Sequence, residues 1–182
     1  GNHILGLYAV DNNTADVIGT AGTILNTTTG DSCICQNGGA VQPSLLVNGT
    51  FSAGNTGFSS DLSPNVPCSS GTYWVGNNFQ IHCSGWPSVF DHTTGNASGR
   101  FLVVDGNPFA AVNIWRQPVN VVPGMTYLFS FWTASVYPPG QQNFNLEIVL
   151  YNNGSPSLMK TVNIVQPTLP WVNHSFTWTC PT

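Results

Sequence analysis

Apolar and polar residues alternate along much of this chain, and no stretch repeats them at a helical spacing. Tyr127, Phe129 and Phe131 alternate with Leu128, Ser130 and Trp132. Val172, His174, Phe176 and Trp178 alternate with Asn173, Ser175, Thr177 and Thr179. Successive side chains of a strand point to opposite faces, so this pattern predicts strands with one buried side, the last of them half-buried. Other short strands are expected over Leu45 to Val47, Tyr73 to Val75, Phe79 to His82, Phe101 to Asp105, Ala111 to Gln117, Phe144 to Tyr151 and Leu158 to Val165, divided by Gly, Pro and Asn. Many short strands with little or no helix predict an all-β fold, an antiparallel β-sandwich of the jelly-roll kind with an N-terminal β arm.

The arm is residues 1–30. Ile4 to Val10 and Asp16 to Thr20 read as two strands, separated by the turn-forming cluster Asp11-Asn12-Asn13-Thr14. Residues 31–44 form a linker within a tract rich in Gly, Pro, Asn and Ser that holds Cys33 and Cys35, and residues 45–182 form the sandwich.

Composition narrows the class. Hydrophobic residues make up 41% of the chain and aromatics 12%, enough for a core, but charged residues only 5% against the usual quarter or so. The surface must therefore be hydrated by Asn, Thr, Ser and Gly, which suits packing against copies of the chain, against glycans or beneath covalent sugar. With Lys160, Arg100 and Arg116 as the only Lys and Arg and a net charge of -4, there is no basic stripe for nucleic acid or anionic lipid. No apolar run reaches the roughly 20 residues of a membrane helix, so no membrane insertion is expected. Five cysteines beside so few charged residues point to a secreted, extracellular or cell-surface ectodomain.

Cys68 and Cys83 flank turn signals at Ser69-Ser70-Gly71 and Gly76-Asn77-Asn78, so a hairpin-clamping disulfide is expected there, contributing about 3 kcal/mol. Cys35 and Cys180, near the two ends of the sandwich region, are a second candidate pair. Cys33 and Cys35 are too close in sequence to bond each other, which leaves Cys33 as an intersubunit link or a thiol.

The segment Leu45-Leu46-Val47-Asn48-Gly49-Thr50-Phe51, followed by Gly54 and Gly57-Phe58, resembles the first strand of galactose-binding-like jelly rolls, the family that includes many carbohydrate-binding modules. Phe90-Asp91-His92-Thr93-Thr94-Gly95 and Gly99-Arg100-Phe101 to Gly106 are similar to a segment shared by those domains and MAM-type sandwiches, and Val119 to Trp132 continues the likeness. The resemblance covers residues 45–179 and implies a secreted bacterial surface protein. It also implies a structural calcium ion bound by a Glu after the NGxF stretch, but Ser52 stands at that position. A closing strand with an Asp-Asp pair is also lacking, so the sandwich is expected to be a strand short. Leu5 to Asp11 and Ile18 to Thr20 faintly resemble a β-propeller repeat, but one partial copy cannot build a propeller.

Catalytic constellations are lacking. Glu147 is the only Glu and the six Asp are dispersed, which argues against glycoside hydrolysis. Asp91-His92 has no nucleophile elbow beside it and reads as a loop element. Cys33-x-Cys35 with His82 and Cys83 is too tightly spaced for an ordinary zinc site. No enzyme activity, metal or other cofactor is expected.

The leading expectation is a noncatalytic structural subunit of a surface filament or adhesin. Its arm residues Ile4, Leu5, Leu7, Tyr8, Val10, Val17 and Ile18 would add a strand to a neighbouring copy, because an unpaired sheet edge invites such filling. The alternative is a carbohydrate-binding module with Tyr73, Trp74, Trp86 and His92 as platform and polar contacts. Trp132 and Trp178 are expected in the core. Sequons occur at Asn12, Asn26, Asn48, Asn96 and Asn173, and Thr27-Thr28-Thr29 is a candidate for O-linked sugar.

Overall fold

The computed structural model describes residues 2–10, 20–21, 44–64, 69–77, 89–105, 111–135, 144–152, 155–164 and 168–182. Among them there is no helix, as the alternating pattern requires. The strands are β1 (Asn2–Val10), β2 (Thr20–Ala21), β3 (Ser63–Pro64), β4 (Thr72–Gly76), β5 (Phe101–Asp105), β6 (Val112–Asn120), β7 (Thr126–Ser135), β8 (Phe144–Asn152), β9 (Ser155–Ile164) and β10 (Thr168–Thr179). They form two sheets, one ordered β6-β1-β8-β9 and the other β10-β7-β2-β5-β4-β3. All pairings are antiparallel except the short β3-β4 contact.

The sheets pack face to face around one apolar core. The first contributes Ile114, Trp115, Leu146, Ile148, Leu150, Val162 and Ile164, and the second Tyr73, Leu102, Val104, Phe129 and Phe131. Strand alternation explains most of this set: Leu146, Ile148 and Leu150 are two apart, as are Leu102 and Val104, and Phe129 and Phe131. Ile114 and Trp115 are adjacent and both buried because β6 carries one extra residue here. Leu7 pairs with Trp115 and Tyr8 with Asn113, so Ile114 has no partner and the strand bulges.

The expected strand at Leu45 to Val47 is not one, for residues 45–50 run through bends and turns. The Gln117 side chain takes the place of a neighbouring strand. Its Oε1 accepts from Val47 N at 2.8 Å, and its Nε2 donates to Val47 O at 2.8 Å and also to Gly57 O. Gln117 is only 3% exposed, and these backbone groups satisfy its buried amide. The following residues cover the outer edge of β6. Ser59 and Arg116 exchange backbone hydrogen bonds of 2.9 and 2.8 Å, and Asp61 N donates to Asn113 O at 2.9 Å. The Asp61 carboxylate accepts from the Asn113 backbone and side-chain amides and pairs with Arg116 at 3.2 Å.

The last strand follows the expected alternation except at Val172, which is exposed. His174, Phe176 and Trp178 are half-buried, while Asn173, Ser175, Thr177 and Thr179 are exposed. The Phe79 to His82 strand and most of Asp16 to Thr20 lie outside the described residues, as do Cys33, Cys35, Cys68 and Cys83 and the disulfides expected of them. Cys180 is buried where β7 and β10 begin and end: its N–H donates to Met125 O at 2.9 Å and its carbonyl accepts from Gly124 N at 2.8 Å. Gly124 has φ +77° and Met125 N bonds to Val122 O, so Pro123-Gly124 is a type II turn feeding β7.

Candidate functional site

The arm residues 2–10 occupy the middle of a sheet. β1 lies between β6 and β8, antiparallel to both, with eight residues in register on each side. His3 to Ala9 each have a partner in β8 and another in β6, where the bulged residue Ile114 is the one left unmatched between Asn113 and Trp115. Of the arm residues named from sequence, Ile4, Leu5, Leu7, Tyr8 and Val10 are in this strand, while Val17 and Ile18 lie outside the described residues. Both neighbours are distant in sequence, so the pairing is wholly long-range. Taken without β1, the sheet has a slot one strand wide, bounded by the N–H and C=O groups of β6 and β8. Such a slot accepts an extended peptide through its main chain.

The second place of interest is the face of the six-stranded sheet turned away from the core. Register puts Trp74 opposite Val103 and Trp132 opposite Asn173, one residue out of step with the core residues Tyr73, Val104 and Phe131. Trp132 is therefore not in the core as the strand pattern suggested. It is half-exposed, and His92 stacks on it with ring centroids 3.5 Å apart and planes 18° apart. Trp171 lies edge-on to Phe101 at 5.8 Å and its indole N–H donates to Phe90 O at 2.8 Å. The result is a band of rings, Phe90, His92, Trp132 and Trp171, bordered by the exposed amide and hydroxyl of Asn173 and Ser175.

The chain holds this band in place through the segment before β5. Asp91 is 2% exposed, and its carboxylate accepts from Thr94 N at 2.9 Å and from the Thr94 hydroxyl. Gly95 N returns to Asp91 O at 3.1 Å. Gly99 is obligatory, because a β-carbon there would sit 1.9 Å from Asp91 Oδ1. Asp91 is thus the loop element its sequence context indicated. It turns the chain so that His92 meets Trp132.

The four platform residues named from sequence fare differently. Tyr73 is buried, its ring packed edgewise on Phe58 at 5.8 Å and its hydroxyl donating to Asn55 Oδ1 at 2.9 Å, so it offers no ring face to a ligand. Trp74 is half-buried on the opposite side of the strand and lies over Gly76, where a β-carbon would fall 1.9 Å from the indole. His92 belongs to the Trp132 stack, and Trp86 lies outside the described residues. Trp171, one of the six Trp rings in the sequence but not among the four named platform residues, sits at the irregular start of β10 against Phe101 and the Phe90 carbonyl. Trp178 packs against the core as expected.

The His174 imidazole has a clearly shifted titration. His174 lies beside Phe131, its Nε2 2.8 Å from the Thr133 hydroxyl, and burial followed by the nearby Lys160 ammonium lowers its pKa. Among the described residues no three His, Cys, Asp or Glu side chains gather as a metal would require, and no helix is long and apolar enough to cross a membrane. Comparison of the chain with protein-family models, curated proteins and solved structures returned no match.

Proposed function

We propose that the chain is a noncatalytic structural subunit of an extracellular filament or adhesin, assembled when residues 2–10 of one copy enter the slot between β6 and β8 of the next. The observation that carries this reading is the central place of β1: a strand flanked on both sides by strands distant in sequence can make the same pairing within a chain or between chains. Exchange then exposes no new edge, and head-to-tail exchange propagates. The low charge supports it, since a charged side chain buried unpaired between subunits costs several kcal/mol, whereas amides and hydroxyls hydrogen-bond across the contact. The test deletes residues 1–10, adds a synthetic peptide of residues 2–10, and follows assembly by negative-stain microscopy. Intact chains should form filaments, deleted chains should not, and the peptide should restore a folded but unpolymerised domain. Filaments from the deleted chain would refute the reading.

A second reading, a carbohydrate-binding module related to the galactose-binding-like jelly rolls, is favoured by the His92–Trp132 stack and its neighbours. Sugar C–H faces pack on aromatic rings, and the bordering Asn173 and Ser175 supply neutral hydrogen-bonding groups. A glycan array with the intact chain, Trp132→Ala, Trp74→Ala and Trp86→Ala tests it. Binding lost with Trp132→Ala supports this platform, and uniformly absent binding removes it.

A further inference from the structure

The loop after Leu46 is closed around a single side chain, the Asn48 amide. Asn48 has φ +57°, and its Nδ2 donates to Gly54 O at 2.9 Å and to Thr56 O at 2.8 Å, with the Thr56 hydroxyl 3.5 Å away. Its Oδ1 accepts from Ala53 N at 2.9 Å. Phe51 N donates to Asn48 O and Gly54 N to Phe51 O, so the chain winds around this one amide. The winding drives the Phe51 ring, at a φ of +57°, into the core against Phe58. Gly54 and Gly57 have φ of +76° and +82°, the conformation the loop needs to turn its carbonyls inward.

An inward ring of carbonyl and hydroxyl oxygens is also what a calcium ion needs, together with carboxylates that supply charge. The residues here do not fit that ion. An NH2 group, which can only donate, occupies the centre. Residues 48–57 contain no Asp or Glu, and the Ser52 hydroxyl is paired with Thr50 at 3.2 Å. The Arg100 guanidinium also lies against Gly54, where a β-carbon would come 3.2 Å from Nη1, and its positive charge opposes a cation.

We infer that the Asn48 amide substitutes for a cation, so that this loop folds without divalent metal, and that a carboxylate at position 48 would turn the same oxygens into a calcium site. The sequon at Asn48 has the same explanation: its amide nitrogen is spent on the loop.

The test is thermal melting of the intact chain and of Asn48→Asp, each in a chelator and in calcium, with bound calcium measured by native mass spectrometry. The intact chain should melt at one temperature in both and carry no calcium. Asn48→Asp places a carboxylate oxygen against two carbonyls and should melt roughly 5 °C lower in chelator, recover in calcium and carry one ion. A calcium-dependent rise in the intact chain would overturn the inference, as would Asn48→Asp melting like the intact chain in chelator. If Asn48→Asp does not fold in either condition, Asn48→Ala decides: lowered melting indifferent to calcium supports the amide's role, and unchanged melting overturns it.

Discussion

Lys160 on β9 donates from its ammonium to the carbonyl of Ser175 on β10 at 2.9 Å, tying together the edge strands of the two sheets. Lys160 stands opposite Ile148 in register, two positions from Val162 opposite Leu146, so a charged residue continues the core-facing row at the edge. The strand also bulges at Met159, since Ile148 pairs with Lys160 and Val149 with Leu158. Bulges and inward charges are devices that keep strand edges from pairing indiscriminately. On this view β9 and β10 are guarded, and exchange is confined to β1.

Replacing that lysine should therefore change association more than stability. Lys160→Met is expected to lower unfolding free energy by less than about 1 kcal/mol, as for a partly exposed interaction, while speeding aggregation on mild heating. Light scattering during a slow temperature ramp measures this. Equal aggregation rates for the two proteins would show that Lys160 does not guard the edge.

Lys160 also acts on His174. Burial first, and the ammonium second, hold the His174 pKa below its ordinary value, so the unfolded chain binds a proton that the folded chain resists. The stabilising contribution is complete above the unfolded value near 6.5 and is lost as pH falls below it toward the lowered folded value. Melting temperature should drop between pH 7 and pH 5, and His174→Gln, which keeps a partner for the Thr133 hydroxyl, should flatten that part of the profile. An unchanged slope in the variant would assign the pH dependence to other groups.

Gly99→Ala should be severe for its size. The added methyl meets the buried Asp91 carboxylate at 1.9 Å, and the loop that presents His92 to Trp132 must move. A loss of about 1 to 3 kcal/mol in urea unfolding is expected, with altered near-ultraviolet circular dichroism from the displaced Trp132.

Gln117→Leu keeps the buried volume but removes the amide that stands in for a strand. Val47 N–H and C=O then lose their partner, at a cost of roughly 1 to 3 kcal/mol. Hydrogen exchange at the Val47 amide should be faster than in the intact chain. Continued protection would mean that another group shields it.

The period-two pattern made the sheets legible because it reflects which face of a strand is wet. It could not say which face of β4 or β7 is the inner one, since both sides of these strands carry aromatic or apolar residues. Sequence alone therefore does not separate Tyr73, which lies in the core, from Trp132, which lies half-exposed on the outer face under His92. The Leu45 to Val47 segment looks like a strand in sequence because its residues suit one. Its hydrogen bonds instead go to a glutamine some 70 residues away, which no local pattern encodes. The Asp91 loop is readable because its chemistry is local.

The central claim concerns where β1 finds its partners, and a cysteine pair across one register position tests it most directly. Ile4 and Tyr151 face each other between β1 and β8, within the separation a disulfide bridges. Chains carrying Ile4→Cys and Tyr151→Cys together, with each single change as control, are oxidised and run on a nonreducing gel. Pairing between copies predicts a ladder of covalent multimers that neither single variant gives and that reductant collapses. A band at monomer mass alone, with the new link formed inside each chain, would contradict assembly by strand addition.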